Sequence, residues 1–260
     1  MPKQDFDQAA HTYDVEFSNT LIGKAQRELV WEHLTSSLHG DVNCLELNGG
    51  TGVDAEYIAP NVKKLLTTDI SERMVEVASA RLEDFINVEA KVLDVNLLNE
   101  NLLEDKDIVF SNFGGLNCLS HDEWKRFAQR LSSYLKQDSK LAFVIMSKNC
   151  WWENLYFMLK GKKWNRNSSD PVMAHVSGET VATWYYSPEE IISFLKSDFN
   201  LTKLKPIGFF IPPSYLTPFF EKHSKVFSIL NFLEKRIKNW SFLAGRSDHF
   251  YVEFSKMAND

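Results

Sequence analysis

The sequence predicts an α/β domain built on a mostly parallel sheet with helices on both faces, and three observations carry that prediction. Short apolar runs alternate with amphipathic segments from Val42 to Met146, and strands spaced this way are buried on both sides by their crossover helices. A glycine-dense turn, Gly49, Gly50 and Gly52, sits between the first apolar run and a helix-like one. The chain of 260 residues is 44% hydrophobic, enough to bury a large core, and has no internal repeat or low-complexity tract.

In chain order, "YDVEFSNTLIGKAQRELVWEHLTSSL" sets Leu29, Trp31 and Leu34 at helical spacing, which predicts one or two helices over 1–40, laid against the open end of the sheet. "VNCLEL" reads as a buried strand, "VDAEYIA" as a helix, "KKLLTT" as a strand and "SERMVEVASARLEDF" as an amphipathic helix. "VEAKVL" and "DIVFSNF" are strands, "DEWKRFAQRLSSYL" a helix and "KLAFVIM" a strand, which closes a core unit over 42–147. Residues 148–186 are too long for a plain connection and read as a lid or binding insertion. "SPEEIISFLKSDF" is a helix opened by Ser187 as N-cap, Pro188 at the first position and Glu190 at the capping-box position. The strand "NLTKLKPIGFFI" completes the core segment 187–211. Residues 212–240 form a second, mostly helical insertion, and "DHFYVEFSK" in 247–256 is a closing strand whose alternation suits an edge or antiparallel place. One sheet with two inserted lids, a single domain over 1–260, is the economical reading.

Composition narrows the function classes. With 35 acidic against 29 basic residues and a net charge of −6, the field of the molecule repels a polyanion, so nucleic acid is not the expected partner. Cys44, Cys118 and Cys150 have neither CxxC nor Cys/His ligand spacing, so no metal site and no disulfide framework is expected. The N-terminus lacks a basic and apolar leader, and no run of about 18 uncharged apolar residues occurs. A soluble cytoplasmic protein without stable membrane insertion is expected; oligomeric state is not legible.

Glycine lets the backbone turn sharply with positive φ and admits a ligand without a Cβ in the way. The helix that follows offers free N–H groups and the positive end of its dipole. Gly49, Gly50 and Gly52 thus mark a ligand crevice at the carboxyl edge of the sheet. Asp69 ends the second strand about 20 residues on, where a carboxylate meets ribose hydroxyls. Asp94 follows the third strand in "KVLDVN" and "FSNFGG" ends the fourth; each could as well be a turn or cap residue, but together they line one crevice. Nicotinamide or flavin dinucleotides would use the same loop and Asp69, yet Glu46 would repel their pyrophosphate. S-adenosylmethionine, with a ribose, a cationic sulfonium and an ammonium for Glu46, has the charge the crevice asks for.

"LELNGGTG", "LLTTDISERMVEVA", "KVLDVNLL" and "DIVFSNFGGLNCL" resemble, in order and spacing, the successive motifs of the class I S-adenosylmethionine-dependent methyltransferases of the small-molecule type. The resemblance is strong over 42–146, and "FDQAAHTYDVEF" resembles the N-terminal segment of many members. It implies a Rossmann-like, seven-stranded sheet whose last strand is antiparallel. It also implies S-adenosyl-L-methionine as cofactor, with Glu46, Gly50 and Gly52 in the glycine loop beside Gly49 and Thr51, Asp69 on the ribose, Asp94 near the adenine amine, and Ser111, Asn112 and Phe113 beside the transferred methyl. Tyr13, Ile70, Met74 and Val95 flank these motifs and complete the expected cofactor contacts. Asn48 departs from the pattern, standing where members carry their first glycine; asparagine tolerates the left-handed conformation better than other non-glycine residues.

Methyl transfer is an in-line displacement that asks the protein mainly for positioning and water exclusion. A general base is needed only for an acceptor that must lose a proton, and His175, His121 and Tyr13 are the candidates, none of them assigned. Aromatic residues in "CWWENLYFMLKGKKW" and "YYSPEE" suit a lid over a small aromatic or apolar acceptor, or simple packing of the insertion onto the sheet. "KGKKWNR" is locally basic and reads as a solvated turn or a contact to an anion or membrane surface. The expected function is a methyltransferase acting on such a metabolite. The alternative is a non-catalytic module that binds S-adenosylmethionine or a partner on the same fold, and an NAD(P)-dependent oxidoreductase is the weakest reading.

Overall fold

The computed structural model describes residues 7, 10, 12–161, 166, 170–176 and 179–258, without the side chains of residues 175, 176 and 179. Its strands are β1 (Asn43–Leu47), β2 (Lys64–Asp69), β3 (Val88–Val92), β4 (Ile108–Ser111), β5 (Lys140–Met146), β6 (Val172–Val176), β7 (Glu179–Thr183), β8 (Phe199–Ile207) and β9 (His249–Lys256). Seven of them form one sheet in the order β3-β2-β1-β4-β5-β9-β8, while β6 and β7 pair apart as a hairpin. The β1 to β5 pairings are parallel, and β9 runs antiparallel to β5 and to β8. This is the seven-stranded, Rossmann-like sheet that the sequence predicts. Strand order reverses at β1, which puts the switch point at the start of the glycine loop.

The helices are α1 (Leu21–Leu34), α2 (Val53–Ile58), α3 (Glu72–Arg81), α4 (Glu100–Leu103), α5 (His121–Tyr134), α6 (Trp151–Leu159), α7 (Pro188–Leu195), α8 (Thr217–Lys222) and α9 (Ser224–Ile237). Strand alternation feeds two cores, one on each face. Leu45 and Leu47 of β1 with Leu141, Phe143 and Ile145 of β5 meet Trp124, Phe127 and Leu131 of α5 and Ile191 and Leu195 of α7. Cys44, Ala142 and Val144 point the other way, onto Ile22, Leu29 and Val30 of α1, Ala55 and Ile58 of α2, Phe220 of α8 and Phe227 of α9. Each such buried Leu, Ile or Phe contributes roughly 1.5–3 kcal/mol of transfer free energy.

The start of α7 forms as its spacing predicts, with a capping box between Ser187 and Glu190 and Pro188 in the first turn. An equivalent box between Ser120 and Glu123 opens α5. The closing strand β9 is antiparallel but interior; β8 takes the edge. Its alternation comes from buried polar partners rather than from solvent: Glu253, 2% exposed, accepts from Lys203 Nζ at 2.8 Å, Tyr251 Oη at 2.8 Å and Ser37 Oγ at 3.0 Å. Helix α1 lies on a face of the sheet, where the His33 ring meets that of Tyr251 and Lys203 donates to the His33 carbonyl.

Candidate cofactor site

Topology assembles the site. Strands β1, β2, β4 and β5 deliver Leu47, Asp69, Ser111 and Met146 to one edge, and antiparallel β9 starts there, His249 lying opposite both Met146 and Ile207.

Asn48 adopts φ 57°, so asparagine does supply the left-handed turn that the loop needs. The three glycines have different causes. A Cβ on Gly49 would lie 2.2 Å from Thr67 Oγ1 and 2.8 Å from Glu46 Oε2; Gly50 has φ 55° and open space above it; Gly52 has φ 80° and packs on Ala78 of α3. Gly49 N–H donates to the Thr68 carbonyl at 2.8 Å and Gly50 N–H to Asp69 Oδ2 at 3.0 Å, locking the loop onto β2.

Glu46 is 1% exposed. Its Oε2 accepts from Thr67 Oγ1 at 2.6 Å, and its Oε1 has no partner among the described residues. Burial, then the carboxylate of Asp54, push its pKa up to about 8, against the hydrogen bond from Thr67 and the charge of Arg27. Asp69 is raised as well, chiefly by burial, while the N–H groups of Ser71 and Gly50 oppose the shift. Its Oδ1 accepts from Ser71 N–H at 2.9 Å, so this carboxylate caps α3 and anchors the glycine loop together. Two buried carboxylates whose ionised forms are disfavoured make a receptor for a cation.

Beside them stands a second cluster that sequence reasoning missed. Buried Arg27 of α1 pairs with Asp54 of α2, and Asp54 also accepts from Trp31 Nε1 at 2.6 Å and Asn112 Nδ2 at 3.0 Å. The Arg27 guanidinium lies 5.1 Å from the centre of the Phe113 ring, which meets Phe17 edge-on at 5.3 Å. Phe113 holds φ 36°, and Asn112 Oδ1 accepts its N–H at 2.9 Å. Tyr13, Arg27, Asn48 to Thr51, Val53, Asp54, Asn112 and Phe113 enclose a cavity of about 30 Å³, room for about one water. Burial, against the charge of Arg27, raises the Tyr13 phenol to about 12, and Tyr13 lines this cavity in its protonated form.

The other predicted residues distribute as follows. Thr51 Oγ1 donates to Asp14 Oδ1 at 2.6 Å, and Arg81 ties the Thr51 carbonyl to the same aspartate. Met74 is buried under Ala10 and Tyr13, and Ile70 is half-buried. Asp94 is an N-cap, accepting from Asn96 N–H at 2.8 Å, and Val95 is buried in the α5 core. Ser111 Oγ reaches Asn48 Oδ1 at 3.4 Å. His121 packs on Tyr186 and Phe194 and faces Glu190, on elements away from this cavity. The side chain of His175 lies outside the described residues, as do residues 162–165 of the basic run. Arg166, the run's last member, is no solvated turn residue: 6% exposed, it grips Glu153 of α6 through two bonds of 2.5 Å and Asp248 Oδ1 at 3.0 Å.

Asp248 in turn stands beside a histidine the sequence reading did not select. His249 Nδ1 is 3.2 Å from Asp248 Oδ2, and its ring meets the Phe113 ring edge-on at 5.3 Å. His249 and Arg166 hold the Asp248 carboxyl far below its ordinary range despite burial. The signal was topological: an antiparallel strand inserted beside β5 brings its first residue to the carboxyl edge.

Residues 44–138 match the family described as methyltransferase domain. No curated protein matches the chain by sequence. Among solved structures, the complex of DhpI with SAH shares 14% identity at a TM-score of 0.65, covering 99% of this chain and 96% of that one. An S-adenosylmethionine-dependent methyltransferase from Listeria monocytogenes, there called putative, gives 17% and 0.61, covering 90% and 99%. The N-methyltransferase NodS from Bradyrhizobium japonicum WM9, in complex with S-adenosyl-L-homocysteine, gives 13% and 0.56, covering 92% and 89%. At these identities the structures establish the fold, while the domain match covers the glycine loop, Asp69, Asp94 and the β4 segment. Residues 44–138 thus carry a methyltransferase domain, and the whole chain has the fold of S-adenosylmethionine-dependent methyltransferases of known structure.

Proposed function

We propose that the chain transfers the methyl group of S-adenosylmethionine to a small, aromatic or apolar metabolite. The observation that carries the cofactor half is the Oε1 of Glu46, which has no partner among the described residues and is buried beside a left-handed glycine loop. A buried acceptor without a donor costs about 1–3 kcal/mol, which an ammonium group would recover. Asn48 to Gly52 would surround the amino-acid moiety, Asp69 would accept from the ribose, and Ile70, Met74, Asp94 and Val95 would border the base. Ser111, Asn112 and Phe113 would border the reacting centre. When bound, the cofactor supplies an electrophilic methyl on a sulfonium, and the chain excludes water around it.

His249 is the residue we assign to the acceptor's proton. Its Nδ1 lies 3.2 Å from Asp248 Oδ2, a carboxylate that would orient the ring, and its Nε2 would take the proton. Phe113 and Phe17 give the same region the apolar walls that suit a flat acceptor. Residues 148–186 and 212–240 act as its cover; Arg166 ties the first to the sheet edge, and Glu234 of α9 ties the second by accepting four N–H groups, from Gly208 to Ile211, at 2.5–3.1 Å.

The test is transfer of label from methyl-labelled S-adenosylmethionine into a small-molecule extract. Labelled small molecules are expected, and His249→Gln should lower kcat about 10²- to 10⁴-fold at unchanged cofactor affinity if the acceptor is a phenol or acid. Label found only in macromolecules, or none at all, would overturn the acceptor reading.

A further inference from the structure

Helix α9 is apolar on two sides. Its inner stripe, Phe227 with Leu230, packs into the α1 core, and Ile237 is buried as well. Its outer side carries Val226, Ile229, Phe232 and Leu233, exposed to 47%, 61%, 56% and 36%. Phe219 of α8 and the stacked pair Trp240 and Phe242, with ring centres 5.6 Å apart, extend the surface at both ends. The charge around it is one-sided. Residues 217–242 hold five basic and two acidic residues in a chain of net charge −6, and one of those acids, Glu234, is buried on backbone N–H groups. Among the described residues Lys222, Lys225 and Lys235 form no ion pair, and Arg236 lies over the Phe232 ring at 4.8 Å.

We propose that this face docks, lying in the plane of the surface, on a membrane rich in anionic lipid. A broad apolar face rimmed by lysines whose stems can snorkel, with tryptophan at one end, is the pattern of an interfacial helix. The cationic rim selects an anionic surface, since the rest of the molecule is acidic and would be repelled by it. Among the described residues no helix is long and apolar enough to cross a membrane, so the attachment is peripheral and reversible. The face belongs to the insertion proposed as a cover, which would bring the mouth of the site to a surface where apolar acceptors collect.

The experiment is flotation of the full chain with vesicles of phosphatidylcholine alone or with phosphatidylserine added. Binding is expected to the mixed vesicles and to fall as salt rises. Ile229→Glu with Phe232→Glu should abolish it, and Lys225→Gln with Lys235→Gln should weaken it about 25-fold, at about fivefold per cation. These sites are exposed, so circular dichroism should be unchanged. No binding to either vesicle, equal binding to both, or a dimer in sedimentation velocity that the Ile229 and Phe232 changes dissociate would overturn the proposal, the last outcome assigning the face to a second copy. None of these readouts depends on methyl transfer.

Discussion

Asp69 has two tasks that the sequence presents as one. Its place at the end of β2 is the ground on which we propose it for a ribose, and in the structure it also fastens the loop through Gly50 N–H and starts α3 through Ser71 N–H. Asp69→Ala should therefore weaken S-adenosylmethionine binding by about 1.5–3 kcal/mol from lost charged hydrogen bonds, with the fold kept. Titration calorimetry with circular dichroism measures both, and parent-like affinity would remove the ribose assignment. Gly50, Gly52, Asn48 and Asp69 were legible because each obeys a local rule, positive φ or a strand end. Arg27, Asp54 and His249 obey none: Arg27 with its partner Asp54 and His249 come to the Phe113 ring only when α1, α2 and β9 have packed, and spacings of 27 and 222 residues along the chain carry no period. Asp94, which the sequence leaves open between a cap and a contact near the adenine amine, caps the turn after β3 through Asn96 N–H.

At the scale of elements, the strands and helices of 42–146 were readable because apolar runs and amphipathic segments alternate cleanly there. The insertions were readable only as insertions, since what holds them is a few buried polar groups. Arg166 is the anchor of the first, bridging Glu153 on α6 to Asp248 at the sheet edge, with its guanidinium 4.5 Å from the Tyr185 ring centre. Arg166→Met takes the guanidinium away from two buried carboxylates, Asp248 keeping Gln26 and His249, and should cost about 3–5 kcal/mol in urea unfolding. Adding Glu153→Gln should recover part of that loss. A single change without effect would mean that the insertion is held by its apolar contacts alone. The place of β9 was half legible: its alternation suits an edge or antiparallel place, and it is antiparallel but interior, with Glu253 satisfied inside by Lys203, Tyr251 and Ser37.

For the whole molecule, the central claim is that an acidic crevice at the switch point of the sheet is built for a cationic nucleoside and against a pyrophosphate. Glu46 makes the claim measurable. Its pKa is raised to about 8 in the cofactor-free protein, so at pH 7 it holds a proton, and an ammonium group beside it favours the carboxylate and expels that proton. Affinity should therefore rise with pH from about 6 toward 8 and turn down above, where the cofactor's own α-ammonium loses its proton, with about one proton released per cofactor at pH 7. The measurement is titration calorimetry of the full chain with S-adenosylmethionine and with NAD at pH 7, in two buffers of different ionisation enthalpy. The account predicts binding of S-adenosylmethionine with a buffer-dependent heat that Glu46→Gln abolishes, and no binding of NAD; binding of NAD without binding of S-adenosylmethionine would contradict it.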